Sequence, residues 1–277
     1  MSAPGTNTEA STVKLIARRN EDRGGADHGW LKTLHTFSFA DYYDPRFESY
    51  GCLRVINEDR VSPERGFGTH GHREMEIFSY VVSGELEHKD SMGNVEVLRR
   101  GDIQHTSAGT GIRHSEYNKP KATEPVHFLQ IWAMPHTSDL EPKYFARHFT
   151  DEEKTDKLVT VVAPVGSEGV IHEREAKGPA PVQSNVTLKA TIISPGKSVE
   201  HVFPAPAEGT AGRKGYIHVV QTSGYNTLQA KGNRVKVNDT LELAEGDGAF
   251  AVGQKDDKLV IENIGDSPAE VLVFDIQ

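Results

Sequence analysis

The sequence predicts an all-β protein, and three observations support that prediction. First, the chain contains many short apolar segments rich in β-branched and aromatic residues, which is typical of strands. Second, 26 glycines and 14 prolines are spread along the chain and separate these segments. Third, long stretches with helical periodicity are scarce. Strands at this spacing favour a sandwich or a barrel.

The strand predictions follow the chain in order. Each segment is rich in strand-forming residues and is bounded by turn residues. The segments comprise residues 51–56, 75–82, 95–98, 127–132, 158–163 and 269–274. Residues 91–94, with the sequence Ser-Met-Gly-Asn, indicate a hairpin-like break. The best helix candidate covers residues 140–149, with Ser138 or Asp139 as its cap and a proline in its first turn.

Composition and charge narrow the classes of protein. With 277 residues, of which 36% are hydrophobic and 26% charged, the chain can bury one or two real cores. Its single cysteine, Cys52, excludes an intrachain disulfide framework and a cysteine-based zinc cluster. No apolar run approaches the roughly 18 residues that a membrane helix needs. The formal net charge of −9 disfavours direct binding to nucleic acid.

A faint internal repeat predicts two β domains of similar plan. A strand that ends in Ser-Gly at Gly84 is echoed by a second one at Gly224. The pair Gly101-Asp102 is echoed by Gly246-Asp247 at a similar distance further along the chain. Chance similarity between two β segments is the competing explanation.

The predicted domain organisation has three parts. Residues 1–12 are small and polar and lack the hydrophobic stretch of a secretory signal, so we expect a flexible tail there. A boundary near residues 135–155 then divides the chain into domains of residues 13–140 and 141–277. The lack of targeting signals predicts a cytoplasmic protein, and the small size of the chain leaves the nucleus open.

Two short pairs of residues carry side chains that can bind a metal. His70 and His72 are separated by one glycine, and His114 and Glu116 by one serine. In a strand, residues i and i+2 project to the same face, so each pair would present two ligands side by side. If the two strands are neighbours inside a barrel, three imidazoles and one carboxylate converge.

Such a ligand set predicts a particular kind of chemistry. Imidazole and carboxylate together suit Fe, Mn, Co, Ni, Cu or Zn, and the lack of a thiolate argues against a purely structural zinc site. Four protein ligands leave two positions of an octahedron open for water, substrate or O₂. The competing interpretation is that these are ordinary surface or core histidines, because a His-x-His pair arises easily by chance among 13 histidines.

The sequence around both pairs resembles a known family. Four segments are similar to the pirin family of the cupin superfamily: His-Gly-His-Arg-Glu-Met-Glu-Ile (70–77), Leu-Glu-His-Lys-Asp-Ser (86–91), Ser-Ala-Gly-Thr-Gly-Ile-Arg-His-Ser-Glu (107–116) and His-Phe-Leu-Gln-Ile-Trp (127–132). They look closest to the bacterial pirin-like quercetin 2,3-dioxygenases. The match is specific over residues 25–135 and thin beyond them.

The resemblance implies a bicupin, with two jelly-roll-like β-barrels in tandem and few short helices. It implies one divalent transition metal in the N-terminal barrel and none in the C-terminal barrel. Fe(II) is the expected ion, with Zn, Mn, Ni or Cu as alternatives, and the expected state is a monomer. The family's ligands carry over to His70, His72, His114 and Glu116, and Glu116 is also the expected catalytic group. Gly71 stands where the family often has proline, which alters no ligand.

Further residues are expected around the metal. Glu76 fits the acidic position of the first cupin motif, and we expect it to support a ligand rather than to bind the metal. The other predicted members of the substrate pocket or ligand surroundings are His88, Phe67 and Met75. Arg73 and Arg113 flank ligands at odd offsets and should point away from the metal.

The resemblance implies an oxygenase that opens the heterocycle of quercetin-type flavonols with O₂ and releases CO. Glu116 would accept the proton of the flavonol hydroxyl. The alternative is an iron-dependent, redox-sensing regulatory protein of the transcriptional co-regulator type, without turnover and with a protein partner. An isomerase or a hydrolase also stays open, because a fold does not fix a function. A small aromatic substrate and O₂ are thus the expected partners, and no membrane is expected.

Overall fold

A computed structural model describes residues 13–119 and 122–277 of the chain. The predicted flexible tail, residues 1–12, lies outside the described residues. Within them, 22 strands are accompanied by one α-helix of four residues, α1 (Asp151–Lys154), and by one short 3-10 helix (Asn20–Asp22). The prediction of an all-β protein is confirmed. No helix in the two described ranges is both long and apolar enough to cross a membrane.

The first barrel contains one seven-stranded and one four-stranded sheet. In chain order its strands are β2 (Gly24–Asp27), β3 (Leu31–His35), β4 (Leu53–Val61), β5 (Gly66–His72), β6 (Glu76–Ser83), β7 (Leu86–Asp90), β8 (Val95–Leu98), β9 (Asp102–Ser107), β10 (Ile112–Asn118), β11 (Val126–Ala133) and β12 (Lys143–His148). The larger sheet has the order β12-β9-β6-β11-β4-β3-β2 and the smaller one β5-β10-β7-β8.

The second barrel repeats this division into seven and four strands. Its strands are β1 (Lys14–Arg18), β13 (Val159–Pro164), β14 (Ala180–Val182), β15 (Val186–Ile193), β16 (Ser198–Val202), β17 (Arg213–Val219), β18 (Lys231–Val237), β19 (Leu241–Glu245), β20 (Gly248–Gly253), β21 (Lys258–Asn263) and β22 (Ala269–Ile276). The larger sheet has the order β1-β20-β17-β22-β15-β13-β14 and the smaller one β16-β21-β18-β19.

The strand order confirms the internal repeat. The run β9-β6-β11-β4 of the first barrel corresponds to β20-β17-β22-β15 of the second, and the two four-stranded sheets correspond strand by strand. The echoed glycines also share a conformation, because Gly101 and Gly246 have φ angles of 88° and 93°. Only glycine adopts such angles readily, and each of these residues turns the chain into the next strand of its sheet. The chain therefore forms two β-barrels of the same plan, which is the architecture of a bicupin.

Strand pairing departs from the predicted domain boundaries at two places. β1 pairs with β20, so residues 14–18, expected in the first domain, belong to the sheet of the second barrel. β12 pairs with β9, so residues 143–148, expected in the second domain, belong to the first barrel. Each barrel therefore takes one edge strand from beyond the predicted boundary, at corresponding positions of the two sheets.

The predicted helix over residues 140–149 is wrong. Lys143–His148 forms β12 instead and pairs with β9. In this strand, Phe145 stacks on His105 with ring centroids 5.7 Å apart, and the Tyr144 hydroxyl donates to Glu96 over 2.6 Å. Tertiary contacts of this kind override a weak local helix signal.

The two large sheets pack against each other through a shared apolar core. Because side chains alternate along a strand, Phe78 and Tyr80 of β6 point into this core together with Phe274 of β22. Val273, the neighbour of Phe274, points the other way and fills the interior of the second barrel. Each large sheet therefore has one face toward the other barrel and one face toward its own interior.

A buried carboxylate also joins the barrels. Glu58 of β4 accepts hydrogen bonds from His127 Nε2 (3.0 Å) in the first barrel and from His218 Nε2 (2.9 Å) in the second. The backbone N–H of Gln221 donates to it over 2.7 Å, and Arg23 Nη1 lies 3.2 Å away. Burial alone would raise the pKa of Glu58, but the two imidazoles hold it well below its ordinary value. An ionised Glu58 thus connects the two halves.

Candidate metal centre

Three of the predicted ligands meet at the junction of β5 and β10. These strands are antiparallel neighbours, with His114 opposite His70 and Ile112 opposite His72. The ring centroids of His70, His72 and His114 lie 4.6 to 4.7 Å from one another. Nε2 of His114 is 3.1 Å from Nε2 of His70. The alternation of side chains along two adjacent strands therefore produces a compact cluster of imidazoles.

These histidines suit metal binding in their protonation state as well as their position. Burial lowers the pKa of His72 to about 4, and the neighbouring imidazoles His114 and His70 lower it further. Burial also lowers the pKa of His114 to about 3, with added repulsion from His88 and His70. Both rings are therefore neutral at pH 7, and only a neutral imidazole can offer a lone pair to a metal.

A backbone contact orients one of the rings. The carbonyl of Gly68 lies 2.8 Å from Nδ1 of His70, which makes Nδ1 the proton donor and leaves the lone pair on Nε2. That lone pair faces His114 Nε2, and Nδ1 of His114 has no hydrogen-bond partner among the described residues. A divalent cation between the imidazoles would satisfy this arrangement. The donor set, nitrogen and oxygen without a thiolate, fits a transition metal of the catalytic type.

Glu116 lies beside the histidine cluster in a buried position. Its carboxylate accepts a hydrogen bond from Ser79 Oγ (3.1 Å) and another from Gln130 Nε2 (2.8 Å). The potential ligand atoms of Glu116, His114 and His88 lie within 4.8 Å of one another, as do those of His70, His72 and His114. Two groups of three therefore share His114, and Glu116 is grouped with His88 rather than with the His-Gly-His pair.

His88 is fully buried next to this carboxylate. Its Nε2 lies 3.2 Å from Asp90 Oδ2, and its ring centroid is 5.2 Å from that of His114. The other face of the region is closed by Tyr144, whose ring stacks on His88 at 5.0 Å. The structure thus places His88 at the inner side of the site, where the sequence analysis expected a supporting residue.

Glu76 lies elsewhere, and its predicted place beside the metal ligands is corrected. Its carboxylate accepts from Ser107 Oγ (2.6 Å) and from the backbone N–H of Gln183 in the second barrel (3.0 Å), and it lies 2.9 Å from His105 Nε2. Side-chain alternation on β6 is the reason, because Glu76 shares a face with Phe78 and not with Ser79. Glu76 therefore contributes to the seam between the barrels.

The two apolar residues predicted around the site have different positions. Phe67 is opposite Glu116 in the pairing of β5 and β10, and its ring packs edge-on against Trp30, with centroids 5.4 Å apart. Met75 is half-buried in the link between β5 and β6, and its carbonyl accepts from the N–H of Ala108 (2.8 Å). Phe67 thus belongs to the wall below the imidazoles, and Met75 to the loop that follows them.

The side chains that hold Glu116, and those that line the barrel next to it, were not predicted from the sequence. Ser79 and Gln130 carry no motif of their own. The signal that could have found Gln130 is alternation, because it lies between Phe128 and Trp132 on the inward face of β11. Asp59 is a further inward residue, and burial raises its pKa to about 7.

An open groove leads from solvent to the histidine cluster. It has a volume of about 500 Å³ and is lined by Gly71, His72, Arg73, Ser91, Gly111, Ile112 and Arg113. On the inner side, His72 is packed edge-on against Trp132, with ring centroids 4.9 Å apart. The groove is of the size that binds small organic molecules, and it ends on a predicted metal ligand.

The protein is thus a bicupin, and its first barrel contains a cluster of imidazoles next to a buried carboxylate. The model of the Pirin family matches residues 16–133. The chain is 39% identical over 262 residues to the quercetin 2,3-dioxygenase of Escherichia coli strain K12, which covers 95% of this chain and 98% of the relative. It is 44% identical over 249 residues to a pirin-like protein of Caulobacter vibrioides, and this match covers 89% of this chain and 98% of the relative. The chain therefore belongs to the pirin family.

Solved structures agree with this assignment. The crystal structure of YhhW from Escherichia coli is 37% identical in sequence and has a TM-score of 0.78, covering 95% of this chain and 98% of that one. A second structure of the same bacterial pirin, with a TM-score of 0.77, contains nickel(II). The similarity thus extends over both barrels, well beyond the segments that carried the resemblance in the sequence.

Proposed function

We propose that this protein is a metal-dependent dioxygenase that opens the heterocycle of quercetin-type flavonols with O₂ and releases CO. The observation that carries the proposal is the convergence of three imidazoles, at least two of them neutral at pH 7, next to a buried carboxylate and at the end of an open groove. The relatives named quercetin 2,3-dioxygenase, at 37% and 39% identity over nearly their whole length, support it.

His70, His72 and His114 are the residues that we propose hold the ion, with Glu116 as the fourth ligand. Fe(II) is the ion that we propose, with Zn, Mn, Ni and Cu as the alternatives that elemental analysis would distinguish. A bound divalent ion supplies positive charge that makes the 3-hydroxyl of the flavonol a stronger acid.

The residues of the chain provide the proton acceptor and its orientation. Glu116 takes the proton of the 3-hydroxyl on a carboxylate oxygen. Ser79 and Gln130 each donate to one oxygen of this carboxylate, which fixes its plane before the substrate arrives. The flavonolate then gains both atoms of O₂, loses one ring carbon as CO, and becomes a phenolic ester.

Turnover of quercetin under air by the purified, iron-loaded protein tests this proposal. We expect the flavonol absorbance to disappear and CO to form in equal amount. Glu116→Gln keeps the size of the side chain and removes its capacity to take the proton, so we expect kcat to fall by about a hundredfold or more. The three histidines remain, so most of the metal should be retained. His28→Ala, which changes an exposed histidine, is the matched control and should behave as the wild type.

A protein that binds the metal but leaves quercetin intact with every divalent ion would overturn the proposal. The regulatory alternative would then be favoured, provided that a partner protein binds the Fe(II) and Fe(III) forms with different affinity. No contact among the described residues favours the regulatory protein over the dioxygenase.

A further inference from the structure

Two arginines without an acidic partner among the described residues flank the entrance to the candidate metal centre. Arg73 and Arg113 are exposed and line the groove that ends on His72. Neither guanidinium forms an ion pair or a side-chain hydrogen bond with any residue in the described part of the chain. We expected both residues to point away from the metal, and the structure places them in the same groove as His72.

The loop geometry holds Arg73 at this position. β5 ends at His72, so the alternation of side chains no longer determines where Arg73 points. Its stem passes over Gly111, where an added Cβ would lie 3.6 Å from Arg73 Cγ. Gly111 has a φ of 141°, which favours glycine and keeps this surface flat. The side chain of Arg73 therefore lies along the floor of the groove.

The carboxylates nearest to these arginines in the chain are occupied elsewhere. Both oxygens of Glu74 lie 3.2 Å from the backbone N–H of Asp139. Asp90 accepts from Asn94 Nδ2 (2.8 Å) and faces His88. The groove thus presents two unpaired positive charges on a protein whose formal net charge is −9. A cleft lined by charge of one sign concentrates ligands of the opposite sign.

We propose that the preferred substrate carries an anionic substituent, a sulfonate, sulfate or carboxylate, on the aromatic ring that projects from the metal centre into this groove. The inference rests on the proposed dioxygenase function and names the substrate class. Arg73 and Arg113 recognise the oxyanion, because a guanidinium matches the geometry of such a group through paired N–H donors. The flat surface made by Gly71, Gly111 and Ile112 accommodates the aromatic ring.

A pair of synthetic flavonols tests this proposal. One carries a sulfonate on the catechol ring and the other a neutral primary sulfonamide at the same position, and both keep the 3-hydroxyl and the carbonyl. Binding to the iron-loaded protein is titrated without O₂, so that the dissociation constant is independent of turnover. We expect the sulfonate to bind about tenfold more tightly than the sulfonamide at low salt, and the preference to shrink as salt is added.

Three variants locate the source of the preference. In Arg73→Gln/Arg113→Gln the sulfonate should lose its advantage to within about twofold, whereas the sulfonamide should bind as it does to the wild type. Arg73→Lys/Arg113→Lys keeps both charges and should retain part of the preference. Arg65→Gln removes an exposed arginine that lies outside the groove, just before β5, and should change neither dissociation constant.

The outcomes separate this inference from the proposed function. Equal affinity of the wild type for both probes, or a preference that survives in the double glutamine variant, would overturn the inference even if both flavonols are cleaved under air. A preference that disappears in that variant, together with no cleavage of either flavonol, would overturn the proposed dioxygenase and leave the anion-binding groove established.

Discussion

The two barrels have the same strand order but opposite interiors. In the first, the strand pair β5 and β10 presents His70, His72, His114 and Glu116. In the second, the corresponding pair β16 and β21 presents Val199, Leu259 and Ile261, which are buried in an apolar cluster. The one histidine of this pair, His201, lies beside Asp275. One fold therefore supports either a polar site or a packed core, and the residues on two strands decide between them.

The difference is visible in how each barrel is stabilised. Within the described residues, the apolar cluster inside the second barrel contains sixteen buried side chains, and the one inside the first contains seven. The first barrel compensates with hydrogen bonds between buried polar groups, of which the contacts of Ser79 and Gln130 with Glu116 are examples. A buried polar group is tolerated only when such partners are present. The two barrels should consequently respond differently to equivalent substitutions.

Removal of two imidazoles from the first barrel should have the largest effect. In His70→Ala/His114→Ala we expect the metal content to fall from about one ion per chain to below about a tenth, and flavonol turnover to fall by about a thousandfold or more. His201→Ala, in the second barrel, should retain the metal. Elemental analysis after minimal purification provides the readout, and a double variant that keeps its metal would contradict the assignment.

A carboxylate introduced into the second barrel should be strongly destabilising. Ile261 is fully buried among apolar side chains, so Ile261→Glu would bury a charge without a partner. We expect a loss of about 3–5 kcal/mol in the free energy of unfolding, measured by urea denaturation. Glu116→Gln in the first barrel replaces a buried polar group by another of the same size, so it should cost less, about 1–2 kcal/mol. Equal losses in the two variants would show that the interiors do not differ as described.

The junction between the barrels should make stability depend on pH. Burial lowers the pKa of His127 and of His218, although each hydrogen bond to Glu58 opposes that shift. Folding therefore favours the neutral rings. The stability that they contribute is fully present at a pH above 6.5, the ordinary pKa of histidine, and it is lost as the pH falls below that value. Glu58, whose pKa is held below its ordinary value of 4.5, acts in the same direction at lower pH.

Glu58→Gln isolates the contribution of the carboxylate. We expect it to cost about 2 kcal/mol at neutral pH, because hydrogen bonds to an ionised group are lost. Below pH 4.5 the decline in stability should be shallower than in the wild type. Urea denaturation over a series of pH values provides the measurement. An unchanged profile would mean that Glu58 titrates alike in the folded and unfolded chains.

The smallest effect is expected from the hydrogen bond that orients Glu116, the proposed proton acceptor. Ser79→Ala removes the donor to Glu116 Oε1 and leaves Gln130 on the other oxygen. We expect kcat to fall about five- to tenfold with the metal content and KM nearly unchanged, since one hydrogen bond contributes about 1 kcal/mol. A change in KM alone would indicate that Ser79 contacts the substrate instead.

The sequence predicts the fold and the site best where alternation along a strand or a short motif determines where a side chain lies. The spacing of His70 and His72 predicts that they share one face of a strand, and the resemblance to the pirin family adds His114 to them. It fails for Glu76, since the motif does not reveal which face of β6 this residue occupies. It fails also for residues 143–148, whose identity as a strand depends on pairing with β9 and on the stacking of Phe145.

Long-range pairing is the common reason for these failures. The hydrogen-bond partners of Glu58 are residues 23, 127, 218 and 221, and no local sequence pattern indicates that these residues lie close together. The same is true of β1, which joins a sheet whose other strands begin after residue 158. The repeat between the barrels was visible in two glycine turns, but the exchange of edge strands was not.

A crystal of the iron-loaded protein, measured at the absorption edge of iron, shows whether an ion lies between the three imidazoles of the first barrel. We expect a single anomalous peak in the first barrel, about 2.0–2.3 Å from a ring nitrogen of each of His70, His72 and His114. The second barrel should show none at Val199, Leu259 and Ile261. An anomalous peak elsewhere in the chain, or no peak between the three imidazoles, would contradict the proposed metal site.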